Sequence, residues 1–176
     1  MPRTAAEWLT GGRVGRPHGL DGSFHVTRPR PGLLSLGAAV RIAGAATQVV
    51  RRSGTDDRPI LRLAGFDGRA AAEALRGEEL LVPRAEAPAL ADDEWWAEDL
   101  EGCRVVDSLR DRSLGSVRRL LPLPSCEVLE VERAGAPDLL VPLVRDAVRD
   151  VDVAEGVIDV DLAFLGEAAE VEPTEP

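Results

Sequence analysis

Apolar residues in this chain come in short runs, and Gly, Pro or Asp interrupts the chain between most of them. Runs of about four to eight residues that are rich in Val, Leu and Ile are typical of β-strands. We therefore predict an all-β fold. Its strands should lie at residues 23–27, 39–42, 47–51, 60–64 and 80–82 in the first half, and at 103–106, 114–121, 127–132, 139–144 and 157–161 in the second.

One segment departs from this pattern and predicts a helix. Residues 69–76 are rich in Ala, Glu and Leu, which favour helices. Asp67 is a suitable N-cap and Gly77 a suitable end.

The length and composition predict two small units. A chain of 176 residues can form one large domain or two small ones, and its charge changes sign near residue 85. We predict a flexible lead-in at residues 1–10, a first β unit at 11–84, a linker at 85–93, a second β unit at 94–166 and a disordered acidic tail at 167–176.

The two halves carry opposite net charge. Residues 1–85 hold thirteen Arg against eight acidic residues (+5), and residues 86–176 hold eight Arg against twenty-three (−15), which gives the total of −10. A basic half favours a polyanion such as RNA, because Arg neutralises phosphates and releases counterions. An acidic half favours a basic partner. The alternative is two solvated surfaces without partners.

Several classes of function are excluded or disfavoured. The chain contains no Lys, so Schiff-base enzymes, P-loop proteins and kinases are excluded. The two His and the two Cys, Cys103 and Cys126, have no common metal-site or catalytic spacing. We expect no enzyme activity, cofactor or metal. Without an apolar run of about eighteen residues or a signal peptide, we expect a cytoplasmic protein. We also expect it to be a monomer.

The segment at residues 12–22 is the densest local motif. Four Gly and one Pro predict the start of a strand followed by a tight loop, not a continuous regular element. Such a loop can bring backbone N–H groups, Arg13 and Arg16 close to a phosphate. His18 is interpreted as a structural residue that hydrogen-bonds the loop. Arg28 and Arg30, on a Pro-rich turn, are further candidates for RNA contact.

This motif and three others resemble the RimM family of ribosome maturation factors. The matches follow the family order over residues 12–166. The first comprises Gly12, Arg13, Val14, His18, Gly19, Leu20 and Gly22; the second is the segment 66–77; the third is 93–102, with Trp95, Trp96 and Asp99; the fourth comprises 114–117, the strand around Pro142, and Val151-Asp152. The chain departs from the family at Asp21, where Arg or Lys is common, at Ser23, at Ser125-Cys126-Glu127, and in having Trp-Trp for the usual Tyr-Tyr.

The resemblance implies two β-barrels, the second a PRC-barrel, in a non-enzymatic assembly factor. It implies binding of the immature 30S subunit and maturation of the head, through ribosomal protein S nineteen and nearby 16S rRNA. Carried over by position, the protein-binding residues are Trp95, Trp96 and Asp99. The RNA-facing or loop residues are Arg13, Arg16, His18, Gly19, Gly22, Arg28 and Arg30.

Alternatives remain at this stage. Exposed Trp is a preferred interface anchor, but both Trp could instead seal the seam between the units. Because adjacent residues outside a helix face different ways, we expect the two rings to differ in environment. A flavin- or photosystem-associated barrel and a free adaptor for basic proteins are rival functions.

Overall fold

The all-β prediction is confirmed by the computed structural model, which describes residues 5–30, 32–91 and 94–166. The chain divides between residues 93 and 94 into two units, here called the first unit and the second unit. The predicted tail at 167–176 lies outside the described residues.

The first unit is a closed six-stranded barrel. Its strands are β1 (Trp8–His18), β2 (Ser23–Thr27), β3 (Ala39–Ile42), β4 (Ala45–Thr55), β5 (Arg58–Leu63) and β6 (Glu79–Pro83). They pair antiparallel in the order β1-β2-β5-β4-β3-β6, and β6 closes onto β1. Alternate residues point inward, so that Phe24, Leu61, Leu63, Leu80 and Val82 form the core.

Two predictions about β1 are wrong. The lead-in ends earlier than residue 10, because β1 begins at Trp8 and Leu9 is fully buried. The Gly-rich motif is also a continuous strand as far as His18. Its glycines serve close approaches within the ladder: a Cβ on Gly15 would lie 2.8 Å from the carbonyl oxygen of His25. Register shifts beside Gly12 and Gly15 bend the strand around the barrel.

The predicted helix exists but is shorter, and its cap is different. Helix α1 spans Arg69–Ala74, with Gly68 as its N-cap residue at φ 85°. This backbone conformation favours Gly, so the cap position falls after Asp67. The Asp67 carboxylate lies 3.8 Å from Arg62 and does not cap the helix.

The second unit is a six-stranded half-barrel. Its strands are β7 (Arg104–Asp107), β8 (Arg112–Pro122), β9 (Glu127–Glu132), β10 (Leu139–Pro142), β11 (Val148–Asp152) and β12 (Val157–Val160), in the order β10-β9-β8-β7-β12-β11. Strands β12 and β7 are parallel, whereas the other pairs are antiparallel. Leu100, Val105, Leu129, Val141 and Ile158 lie at the centre of its core.

Two elements of the second unit are missing from the sequence predictions. Strand β11 was not predicted, because Arg149, Asp150 and Asp152 interrupt its apolar pattern and no residue in it is fully buried. The one-turn helix α2 (Ala97–Leu100) was not predicted either. At the C-terminal end of the first unit, residues 84–86 form a 3₁₀ turn, and the described residues 87–91 contain no strand.

Candidate functional site

The turn between β1 and β2 is held rigidly by its neighbours. Gly19 and Gly22 have φ of 68° and 90°, and a Cβ on Gly22 would lie 2.2 Å from the carbonyl oxygen of Phe66. Asp21 accepts a hydrogen bond from the Ser23 backbone N–H at 3.1 Å. It also forms an ion pair with Arg51 at 2.9 Å. Hydrogen bonds from Ser23, with help from Arg51, lower the pKa of the Asp21 carboxyl. Asp21 therefore stabilises the turn, and its charge is balanced locally.

His18 packs against His25 and does not bind the loop as predicted. The two rings meet edge to face with their centroids 5.1 Å apart. Within the described residues, no hydrogen bond from the His18 ring to the turn is present. Partial burial, Arg16 and His18 lower the pKa of His25, which favours the neutral form of its ring.

The predicted RNA-facing residues fall into two groups on the first unit. His18, Gly19 and Gly22 lie at the β1–β2 turn, where His18 is paired with Ser23. Arg13 is paired with Thr27 at the other end of this ladder, and Thr27 is followed in the chain by Arg28 and Arg30. Arg16 lies on β1 between the two groups. The structure therefore does not bring all seven residues together.

The arginines at these positions differ in what they contact. Arg13 forms an ion pair with Glu79 at 2.6 Å. Arg16 and Arg28 are exposed, and neither makes an ion pair within the residues that the structure describes. Arg30 is half-buried in the wall of a cleft of about 470 Å³. Arg16 and Arg28 are thus the cations of this set with the most freedom to meet a phosphate.

That cleft was not predicted from the sequence. Arg30, Leu34 and Leu36 line one side, and Arg52 and Pro59 contribute from β4 and β5. Its walls come from segments about twenty residues apart in sequence, so no local motif could indicate it. Arg52 is paired with Asp56, which also lies in the cleft wall.

In the second unit, Trp95 and Trp96 precede helix α2 and are both half-buried. Trp95 packs against the core of the second unit. The Trp96 carbonyl accepts hydrogen bonds from the backbone N–H groups of Asp99 at 2.9 Å and Leu100 at 3.4 Å. The pair therefore has accessible surface and is fixed by the start of α2.

The side chain of Asp99 is not placed for direct contact with a partner. The residue is 6% exposed, and its carbonyl accepts a hydrogen bond from the Cys103 thiol at 3.2 Å. Asp99 is buried within α2 and helps to hold this segment in place. It is therefore not a contact residue, whereas Trp95 and Trp96 remain candidates.

An ionic network that the sequence did not indicate lies at one edge of the second unit. Asp107, at the end of β7, is 0% exposed. Its carboxylate accepts hydrogen bonds from Arg110 at 2.5 Å, Arg149 at 3.2 Å and the Leu162 backbone N–H at 3.3 Å. Burial would raise the pKa of Asp107, but these hydrogen bonds outweigh burial and lower it.

Arg149 links this carboxylate to two others. Its guanidinium lies 3.3 Å from Asp159 and 3.2 Å from Asp161, and it donates to the Val160 carbonyl at 2.6 Å. Arg149 therefore joins β7, β11, β12 and the segment after β12.

Other kinds of site are not found in the described parts of the chain. Residues 5–30, 32–91 and 94–166 contain no group of three or more His, Cys, Asp or Glu that could hold a metal ion. None of the helices described is long and apolar enough to cross a membrane.

Comparisons with known proteins place both halves in one family. The RimM N-terminal domain family matches residues 9–87, and the RimM PRC barrel domain family matches residues 97–172. A ribosome maturation factor RimM of Sorangium cellulosum is 38% identical over 156 residues, covering 82% of this chain and 89% of the relative. One of Frankia alni is 37% identical over 165 residues, covering 85% and 91%.

Two solved RimM structures also match this chain. A putative 16S ribosomal RNA processing protein RimM of Pseudomonas aeruginosa has 24% identity and a TM-score of 0.40, covering 88% of this chain and 96% of that chain. The N-terminal domain of RimM from Thermus thermophilus has 28% identity and a TM-score of 0.42, covering 49% and 100%. On the two domain matches and the relatives of similar length, this chain belongs to the RimM family of ribosome maturation factors.

Proposed function

We propose that this protein is a non-enzymatic assembly factor that binds the immature 30S subunit. Its second unit engages ribosomal protein S nineteen, its first unit contacts nearby 16S rRNA, and together they promote maturation of the head. The family membership supports a role in ribosome maturation.

The observation that carries the proposal is the contrast in charge between two compact units. Residues 6–93, the first unit, hold twelve Arg against eleven acidic residues, a net charge of +1. Residues 94–166 contain sixteen acidic residues and eight Arg, a net charge of −8. Immature ribosomal particles offer both a polyanion and basic proteins, so each unit has a partner of opposite charge.

The mechanism follows from equilibrium binding. If the two units together bind the correctly arranged head more tightly than other arrangements, they shift the population toward it. The shift cannot exceed the difference in binding free energy between the arrangements. Release follows when the mature surface no longer fits.

The RNA part of the proposal is tested with the two exposed arginines, Arg16 and Arg28. Replacing both with Ala should weaken association with pre-30S particles and reduce the slope of log K against log salt by about 1 to 2, since each phosphate contact contributes about 0.9. Replacing Arg58 and Arg69, which are also exposed in the first unit, is the matched control. Equal slopes for the two double variants would contradict RNA contact at these positions.

Arg13 and Arg30 are tested separately. Replacing Arg13 leaves Glu79 without its ion pair, and Arg30 lies in the cleft wall, so either change can alter the first unit itself. We expect the quadruple Ala variant of Arg13, Arg16, Arg28 and Arg30 to show the flattest salt dependence. Its circular dichroism spectrum must match that of the wild type, which shows that the change in salt dependence does not come from unfolding.

The protein part is tested with purified ribosomal protein S nineteen in the absence of RNA. The full chain should bind it, and binding should weaken as salt rises. Replacing Trp95 and Trp96 together with Ala should raise Kd at least tenfold, because truncating an interface anchor costs about 2 kcal/mol or more. Trp8→Ala, which changes the Trp of the first unit, is the control. Binding that requires RNA would contradict this part.

A further inference from the structure

Two large apolar side chains project into solvent from one edge of the second unit. Leu109 is 76% exposed in the turn after β7, and Phe164 is 51% exposed in the turn after β12. Exposed apolar residues are common singly, but two at one edge form a patch that can bind a partner.

The topology places these two turns side by side. Strands β7 and β12 are parallel neighbours, with Val105 opposite Ile158 and Val106 opposite Asp159. Because parallel neighbours end at the same edge of a sheet, about 4.8 Å apart, the chain leaves both strands in the same direction. Leu109 and Phe164 each follow within a few residues of that edge.

The ionic network of Arg149, Asp159 and Asp161 holds both turns in place. Asp159 accepts hydrogen bonds from the Ser108 backbone N–H at 2.8 Å and from its hydroxyl at 2.6 Å. Asp161 accepts from the Phe164 backbone N–H at 3.2 Å. Arg149 contacts both carboxylates. The apolar side chains are therefore carried on a preorganised support, which reduces the entropy lost when a partner binds.

Charge around the patch indicates the kind of partner. Asp111, in the same turn as Leu109, is exposed, and so is Asp150, which is paired with Asp159 across β11 and β12. Within the described residues, neither carboxylate makes an ion pair. Arg110 and Arg149, by contrast, are engaged by Asp107. Arg112, which follows Asp111, is also exposed, so the rim carries both signs of charge. The net charge of −8 on residues 94–166 favours a basic partner over RNA.

From this arrangement we propose that Leu109 and Phe164, with Asp111 and Asp150 at the rim, form a docking surface for a basic protein. The contacting segment should present apolar side chains flanked by Arg or Lys. This inference rests on the proposed function and deepens it, because it assigns a surface of the second unit beyond Trp95 and Trp96 to the protein partner.

The test compares two matched double variants of the full chain. Leu109→Ser with Phe164→Ser removes the proposed centre. Leu123→Ser with Leu140→Ser removes two other exposed apolar residues of the second unit, 51% and 54% exposed, which lie at the β8 and β10 side of the sheet. Binding of purified ribosomal protein S nineteen is measured by calorimetry, and folding is checked by circular dichroism melting.

We expect the first double variant to raise Kd at least tenfold with an unchanged melting temperature, and the control to change Kd less than twofold. Asp111→Asn with Asp150→Asn should flatten the salt dependence of binding. Equal losses in the two Ser variants, or no loss in the first, would overturn the docking surface while leaving the proposed function intact.

Other results separate the remaining explanations. If the wild type does not bind ribosomal protein S nineteen, that partner is wrong, and the variants are compared against each purified basic protein of the small subunit. If none of these proteins binds the first double variant more weakly than the control variant, the docking surface is wrong as well. If light scattering shows a wild-type dimer that the first variant abolishes without changing Kd, the patch serves self-association and the inference is wrong.

Discussion

Asp107 offers the most direct test of how the second unit is held together. Its carboxylate is fully buried and accepts hydrogen bonds from two guanidiniums and one backbone N–H. Asp107→Asn preserves the size of the side chain, removes its charge, and turns an N–H₂ group toward groups that already donate. The variant therefore isolates the ionic network from packing.

The expected loss follows from what remains after the change. Removing one partner of a buried ion pair costs about 3–5 kcal/mol. Arg149 keeps Asp159 and Asp161, and Arg110 is partly in solvent, which favours the lower end. We therefore expect Asp107→Asn to lower the free energy of unfolding of the second unit by about 3 kcal/mol at pH 7.

The dependence on pH gives a second, independent measurement. The pKa of Asp107 in the folded state lies below its ordinary value of 3.8. Its charge therefore stabilises the fold above that value, and this contribution is lost as pH falls through the lower folded pKa. The difference in unfolding free energy between wild type and variant should stay constant from pH 7 to about 5 and narrow below about 4.

Urea unfolding followed by circular dichroism and Trp fluorescence measures both quantities, with Trp95 reporting on the core of the second unit. Asp138→Asn is the control, because Asp138 forms an ion pair with Arg118 at the surface and should matter much less. A change at Asp107 no larger than the change at Asp138, or one that does not narrow in acid, would refute the stabilising role of the network.

Three further outcomes are expected. Gly22→Ala should destabilise the first unit by about 1–3 kcal/mol more than Gly77→Ala in urea unfolding: both glycines have positive φ, but only at Gly22 would the Cβ meet a backbone carbonyl, at 2.2 Å. Trp95→Ala should lower the melting temperature, whereas Trp96→Ala should leave it nearly unchanged, because Trp95 packs against the core. An NMR titration should place the pKa of His25 below 6.5, since burial and neighbouring basic groups disfavour its charged form.

The sequence predicted strands well where residues alternate between core and solvent. Strands β2, β3 and β9 have the predicted bounds, because their apolar spacing and flanking turns are both local signals. Strand β11 carries charges such as Arg149 in place of core residues, so its pattern is hidden. Strand β1 differs from the predicted loop because its glycines, which are also typical of loops, here permit close packing and bulges.

The candidate site was less predictable, because it depends on contacts between distant residues. Asp107 bonds Arg149 and Leu162, 42 and 55 positions further along the chain. No local motif reports such contacts, and they exist only because β12 pairs in parallel with β7. The position of Trp95 and Trp96 at the start of the second unit followed from local sequence, but the burial of Asp99 required the tertiary packing of α2.

The parallel pairing of β12 also constrains the order in which the protein can be made. Every strand of the barrel lies between Trp8 and Pro83, so the first unit is complete in sequence before the second begins. The sheet of the second unit, by contrast, joins β7 to β11 through β12, its last strand. Because chains emerge from synthesis N-terminal end first, the first unit can fold while the acidic second unit still lacks the strand that connects its sheet. A nascent chain stalled before Val157 would therefore expose the folded barrel and its arginines without the acidic counterpart.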